Sequence, residues 1–309
     1  MTGAGAATLA FAKEQTFMGD LVDSDSDGTP EYWKFGRDPT VTDLELDRAL
    51  SNMSEGDQAE YVESIAGNLE GAFGVEAVVS SDVHSDVEDL VFNNADGTGF
   101  TPGRAASGRV YTGIDYLDGT AERELVGCVP LDYSVSYQQG ETVTYSLSMG
   151  YADENLNTSI TPSSINGVTD GTSAAWHGVD LTIDGTTVAK LQEAELSISN
   201  ISRFQRGASH IAEDAVLARP ETELTVDAIF TGPSRTELAY GSAGATTTAA
   251  RMNSVSGALD IAVDGASVST YNLAKLKPTM HSWSDLITDG DTDTTDSTTF
   301  NVTGGVTVN

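Results

Sequence analysis

Residues 131–151, LDYSVSYQQGETVTYSLSMGY, decide the fold class. Leu131, Tyr133, Val135 and Tyr137 alternate with Asp132, Ser134 and Ser136. Beyond Gln139-Gly140, Val143, Tyr145, Leu147, Met149 and Tyr151 alternate with Thr144, Ser146 and Ser148. A period of two places every apolar side chain on one face, so this stretch reads as an antiparallel hairpin with one buried side. The same pattern recurs downstream. Leu181 and Ile183 run to Asp184-Gly185, with Val188 after it; Ala194, Leu196 and Ile198 alternate with Glu195, Ser197 and Ser199. Leu224, Val226, Ala228 and Phe230 follow suit, as do Leu259, Ile261 and Val263 before Asp264-Gly265. The Asp-Gly pairs are hairpin turn signals. The chain is mainly β.

Helical periodicity is sparse. Val83, Val87, Leu90 and Val91 recur at helical spacing after the capping residues Ser80 and Ser81. A second short helix is expected from Pro233, with Ser234 and Glu237 at capping-box spacing and Gly241 as a stop. Each helix follows a strand-like segment, Phe73 to Val79 and Glu223 to Phe230, and more strands come after it. The order strand, helix, strands therefore occurs twice, without clear residue identity between the halves. The polar stretch from Asp153 to Ser173 separates them. The expectation is an antiparallel β-sandwich or barrel with short flanking helices. It is divided into an N-terminal arm and loop (1–58) and two similar β subdomains (59–158 and 159–309).

Of 309 residues, 47 are Asp or Glu and 15 are Lys or Arg, which gives a formal charge of −32 and a pI of about 4.1. The acids are dispersed, 27 against 7 bases in residues 1–150 and 20 against 8 thereafter. Ordinary hydrophobic content (39%) excludes a disordered acidic tail. At roughly 0.15 M salt such a surface repels itself over about 8 Å, and at molar salt over only about 3 Å. The composition therefore suits concentrated salt. A basic groove for nucleic acid is absent, and repulsion would oppose one. Cys128 has no partner for an internal disulfide, and no apolar run reaches the ~18 residues of a membrane helix. The N-terminus, MTGAGAATLAFAKEQTF, lacks a basic n-region, so no secretory signal is expected.

Catalytic motifs are missing from the pattern. Gly97-Thr98-Gly99 and Gly103 have the wrong spacing for a dinucleotide fingerprint, and no phosphate loop, nucleophile elbow or HExxH occurs. His84, His177, His210 and His281 show no ligand spacing, and Cys128 reads as a small buried hydrophobe. No enzyme is expected. One loop has metal-ligand spacing: Asp23, Asp25 and Asp27, then Gly28, Thr29 and Glu31, follow the D-x-D-x-D-G pattern of calcium loops. Carboxylates at positions 1, 3 and 5 and a carbonyl at 7 converge there because the glycine permits a sharp turn. Tyr32-Trp33 could anchor the loop. Lys34 stands where the closing Glu would be, which implies weak Ca²⁺ binding, and an acidic loop solvated by monovalent salt is the alternative. Sequons at Asn52, Asn157, Asn200 and Asn301 compare with about 2 expected by chance.

The order of elements resembles tail tube (major tail) proteins of tailed viruses. The carriers are Phe11 to Gly19, with Glu14-x-Thr16-Phe17 and a following Gly; Gly67 to Phe73; the helix Asp82 to Phe92; Gly127-Cys128-Val129-Pro130-Leu131 with its hairpin; Glu193 to Arg206; and Glu221 to Tyr240. The likeness covers most of the chain through pattern and order, and the acid excess suggests a virus of haloarchaea. It implies two packed sheets flanked by a helix, with strands of neighbouring copies joining into a barrel and loops linking stacked rings. Partners would be other copies of the chain, tail terminator, baseplate and tape-measure proteins. DNA would pass through the lumen without specific binding, and no membrane is involved. The place would be the virion tail, assembled in the host cytoplasm. If each half supplies one unit, three chains close a pseudo-sixfold ring; if the halves are two sheets of one sandwich, six chains do. The rival readings are a terminator or baseplate hub ring of the same fold, and a calcium-binding haloarchaeal surface or adhesion β-sandwich.

Overall fold

Eighteen strands, two short α-helices and a 3₁₀ turn (Trp176–Gly178) lie among the described residues of the computed structural model, which are 7–24, 26–92, 99–116, 119–156, 164–168, 172–287 and 292–309. The first half contains β1 (Ala7–Lys13), β2 (Arg37–Asp47), β3 (Ser51–Met53), β4 (Glu63–Ile65), β5 (Glu70–Val78), α1 (His84–Phe92), β6 (Gly108–Tyr116), β7 (Gly119–Gln138), β8 (Thr144–Tyr151) and β9 (Asp153–Leu156). The second contains β10 (Val179–Ile183), β11 (Thr186–Thr187), β12 (Leu191–Ser199), β13 (Ser202–Gln205), β14 (Asp214–Leu217), β15 (Glu221–Ile229), α2 (Ser234–Tyr240), β16 (Val255–Val263), β17 (Ala266–Ser284) and β18 (Thr295–Val308). All strand pairs are antiparallel, and the fold is a mainly β, sandwich-like one as its alternation implies.

The hairpin of residues 131–151 is β7–β8, with Tyr133 opposite Leu147 and Val135 opposite Tyr145. A bulge after Pro130 shifts the register, so Leu131 is half-buried while Tyr133, Val135 and Tyr137 enter the core. Asp184-Gly185 and Asp264-Gly265 make tight turns with positive φ at both residues (53° and 71°, 52° and 80°), the geometry that favours Asp-Gly in two-residue hairpins. α2 does not use the expected capping box. Pro233 is its N-cap, Ser234 is already helical, and the Glu237 carboxylate instead accepts the Gly244 N–H at 2.8 Å. Gly241 terminates it as expected, with φ 138° and its N–H on the Glu237 carbonyl.

The two halves share one topology. In the first, neighbouring strands run β1-β6-β7-β8-β5-β2; in the second they run β10-β16-β17-β18-β15-β12. Each helix lies between equivalent strands, and the registers coincide. Phe73, Val75 and Ala77 of β5 face Met149, Leu147 and Tyr145, as Leu224, Val226 and Ala228 of β15 face Phe300, Thr298 and Asp296. Both long strands carry a bulge just after a proline, Pro130 in β7 and Pro278 in β17. Residues 1–58, expected as an arm, supply β1 and β2, so these two strands belong to the first unit. Across the expected boundary near residue 158 the sheet is continuous, because β7 pairs with β12, and one apolar cluster spans both halves. Within the described residues the sheet stays open and does not close into a barrel.

Candidate functional site

The acidic loop is folded onto itself. Asp23 accepts the N–H groups of Asp27 (3.2 Å) and Gly28 (2.9 Å), and Asp27 accepts that of Thr29 (2.7 Å). Glu31 accepts the N–H of Ser24 at 2.7 Å and also its hydroxyl proton. Gly28 has φ 88°, as the turn requires. Asp25 lies outside the described residues. Among those described, no group of three or more His, Cys, Asp or Glu could hold a metal ion. Loop N–H groups already engage the Asp23 and Glu31 carboxylates. The turn at Phe17 has a clearer role. Glu14, buried between β1 and β7, accepts N–H groups from Met18 (2.9 Å) and Gly127 (3.2 Å) and pairs with Arg109 at 3.2 Å. Burial pushes its carboxyl above the ordinary value. Arg109 also holds Glu124 at 2.9 Å, so Glu14-x-Thr16-Phe17 is a structural clasp.

The histidines divide by setting. His84 is buried at the start of α1, with Nε2 3.2 Å from the hydroxyls of Tyr133 and Tyr271, themselves 2.8 Å apart. Ser269 donates to Glu88 one turn along. This network joins α1 to β7 of its own unit and to β17 of the other, and burial pushes both tyrosine hydroxyls far up. The equivalent helix α2 sends Arg235 to Asp296 at 2.9 Å and Thr236 to His281 at 2.9 Å. Cys128 is buried, as expected, and its thiol is pushed well up by that burial. Asn157, Gly97 and Thr98 lie outside the described residues. Asn52 and Asn301 are exposed on strands, and Asn200 is spent in a turn, its amide donating to the Arg219 carbonyl.

His281 supplies a pH signature. Burial lowers its pKa below 6.5; Asp296 opposes that shift and Arg235 adds to it. A depressed folded value means stability is present above 6.5 and lost as pH falls through the folded value. His281→Gln is expected to remove part of the drop in melting temperature between about pH 7.5 and about pH 5.5. Identical pH profiles for the two chains would refute this.

The exposed apolar surface collects at two strand edges. Among the described residues, sixteen large apolar side chains are exposed. Seven lie on β2, β3–β4 and their loops (Val41 to Ile65), and four at the end of β17 (Met280, Trp283, Leu286 and Ile287). Among the described residues, β2 pairs only with β5, and beyond Leu276 the pairing of β17 is confined to β18. Sequence reasoning missed both edges, since a strand's own residues do not reveal which side lacks a neighbour. The sheet face turned from the core carries Glu76, Glu193, Glu195, Glu221 and Glu223 among Ser134, Ser146 and Ser148. No helix among the described residues is long and apolar enough to cross a membrane. No protein-family model matches the chain, and no curated protein matches it significantly.

Proposed function

We propose that the chain is a structural virion protein, the repeating subunit of a viral tail tube whose stacked rings surround a DNA-conducting lumen. The observation that carries this reading is the open, duplicated antiparallel sheet with apolar side chains exposed at two unpaired edges. An exposed apolar edge is an aggregation hazard unless another chain covers it, and ring closure removes it. Four strands per unit (β7, β8, β5, β2 and β17, β18, β15, β12) form one layer. Three chains would contribute six such layers, which favours the pseudo-sixfold ring over six chains. The acidic and hydroxyl-rich face would line the lumen, where phosphate repulsion lets DNA slide without sticking. The localisation that follows is the virion tail, with terminator, baseplate and tape-measure proteins as neighbours and no membrane.

Negative-stain microscopy of the purified chain at molar salt tests this: rings or tubes support it, and monodisperse monomers reject it. Assembly is also expected to depend on salt. The formal charge of −32 per chain becomes −96 for three. Dilution below about 0.2 M lengthens the screening distance toward 8 Å and should lower the melting temperature and loosen rings. Equal melting in molar and dilute salt would count against it.

A further inference from the structure

We propose that the junction between the two units inside the chain is repeated between chains. The C-terminal part of β17 pairs antiparallel with β2 of a second copy, with Leu46 opposite His281 and Leu44 opposite Trp283. The occupant of both exposed edges is thus another molecule of this protein. The proposal deepens the tube reading by naming the strands and register of the ring contact, while stacking is a separate property.

The internal junction is the template. There β7 offers Tyr133 and Val135 to Ile198 and Leu196 of β12. The duplicated registers make β17 the counterpart of β7, so that His281 and Trp283, opposite Thr298 and Asp296 of β18, correspond to Tyr133 and Val135, opposite Leu147 and Tyr145 of β8. They likewise make β2 the counterpart of β12: Leu44 and Leu46 lie opposite Phe73 and Gly71, as Leu196 and Ile198 lie opposite Leu224 and Thr222. Burial separates the covered copy from the uncovered one. Leu196 and Ile198 are 0% and 1% exposed, whereas Leu46 is 46% exposed; Val135 is 1% exposed and Trp283 42%. At these two positions the copy beside a neighbouring unit is buried and the other is open, while Leu44 and His281 on the open edges are half-buried.

The adjoining hairpins repeat the contrast. β13–β14, which follows β12, folds onto the first unit: the Phe204 ring lies 6.0 Å from Phe17, and Arg206 donates to the Leu69 carbonyl at 3.0 Å. β3–β4, which follows β2, leaves Tyr61 and Met53 exposed. Because the two edges differ, the contact is head-to-tail, and it closes a ring if the rotation permits.

The test uses the full chain at molar salt under a mild oxidant, in two double variants, Leu46→Cys with His281→Cys and Leu44→Cys with Trp283→Cys. Thr40→Cys with His281→Cys, several residues out of register, is the control. Buried Cys128 stays out of the exchange. Opposed strand positions lie within disulfide reach, so the in-register pairs are expected to give at least about tenfold more interchain product than the control, as a ladder ending at the closed ring. Equal or greater cross-linking of the control overturns the register. Folded chains of both in-register variants that give no interchain product overturn the pairing. Cross-linked rings that never stack reject the tube reading and leave the pairing intact; tubes without these cross-links do the reverse.

Discussion

A chain carrying Leu46→Asp and Trp283→Asp is expected to remain folded and to remain monomeric in molar salt. Both side chains are part-exposed in the single chain; Leu46→Asp should change its stability little, and Trp283→Asp should also give up the edge-on ring contact with Phe230, about 0.5–1.5 kcal/mol. In an assembled ring each would place a carboxylate where the internal junction buries Ile198 and Val135, without a partner for the charge. An unpaired buried carboxylate costs several kcal/mol, enough to dissolve a head-to-tail contact. The matched comparison is internal. Ile198→Ala, at the covered counterpart of Leu46, should cost about 2–5 kcal/mol of folding stability, whereas Leu46→Ala should cost far less and act mainly on assembly. Thermal unfolding and light scattering on the four chains separate the two effects. Unimpaired assembly of the double Asp chain would remove the edges from consideration.

Arg235→Ala should be among the most damaging single changes to the folded chain. Its guanidinium holds the Asp296 carboxylate through Nε at 3.0 Å and a terminal nitrogen at 2.9 Å, and reaches the Asp296 carbonyl at 3.3 Å. Both groups are buried, so removing the cation strands a carboxylate in the core, at a cost of about 3–5 kcal/mol. Replacing both partners, Arg235→Met with Asp296→Leu, should restore most of that, because a well-packed apolar pair needs no desolvation of charge. Denaturant titration reads both. A double variant as unstable as Arg235→Ala would show that the pair's hydrogen bonds, and not the stranded charge, set the cost.

The first unit solves the same problem differently. Near the start of α1, His84 meets two tyrosine hydroxyls from β7 and β17, where α2 uses Arg235 and Thr236. Such differences remove residue identity from a duplication that the sequence shows only as a repeated order of elements. Core positions accept any apolar side chain of suitable volume, so Phe73 answers Leu224 and Met149 answers Phe300 without identity. The traces left at residue level are slight: the prolines at the two bulges, and Val75 and Ala77 matched by Val226 and Ala228.

The sequence by itself determined the strands that alternate cleanly, β5, β8, β10, β12, β15, β16 and the second half of β7, since alternation is a local property of each side chain and its neighbours two residues away. It also determined the Asp-Gly turns, the burial of Cys128 and the place of α1, which begins at His84 and not at Asp82 because the Ser80 and Ser81 hydroxyls bond to the Val78 carbonyl and the Asp82 carboxylate instead of capping the helix. Spacing likewise marked out the acidic loop, but where Asp23 and Glu31 direct their oxygens depends on how the loop folds back on its own N–H groups. β1 and β2 escaped notice because short polar-flanked runs such as Leu44-Glu45-Leu46 become strands only when a partner supplies hydrogen bonds. Strand order was decided by the tertiary structure alone, because pairing joins residues far apart in the chain and depends on which loops can close. So were the two uncovered edges: Leu46 and Ile198 are similar side chains in similar strands, and only the presence or absence of a neighbouring unit distinguishes them.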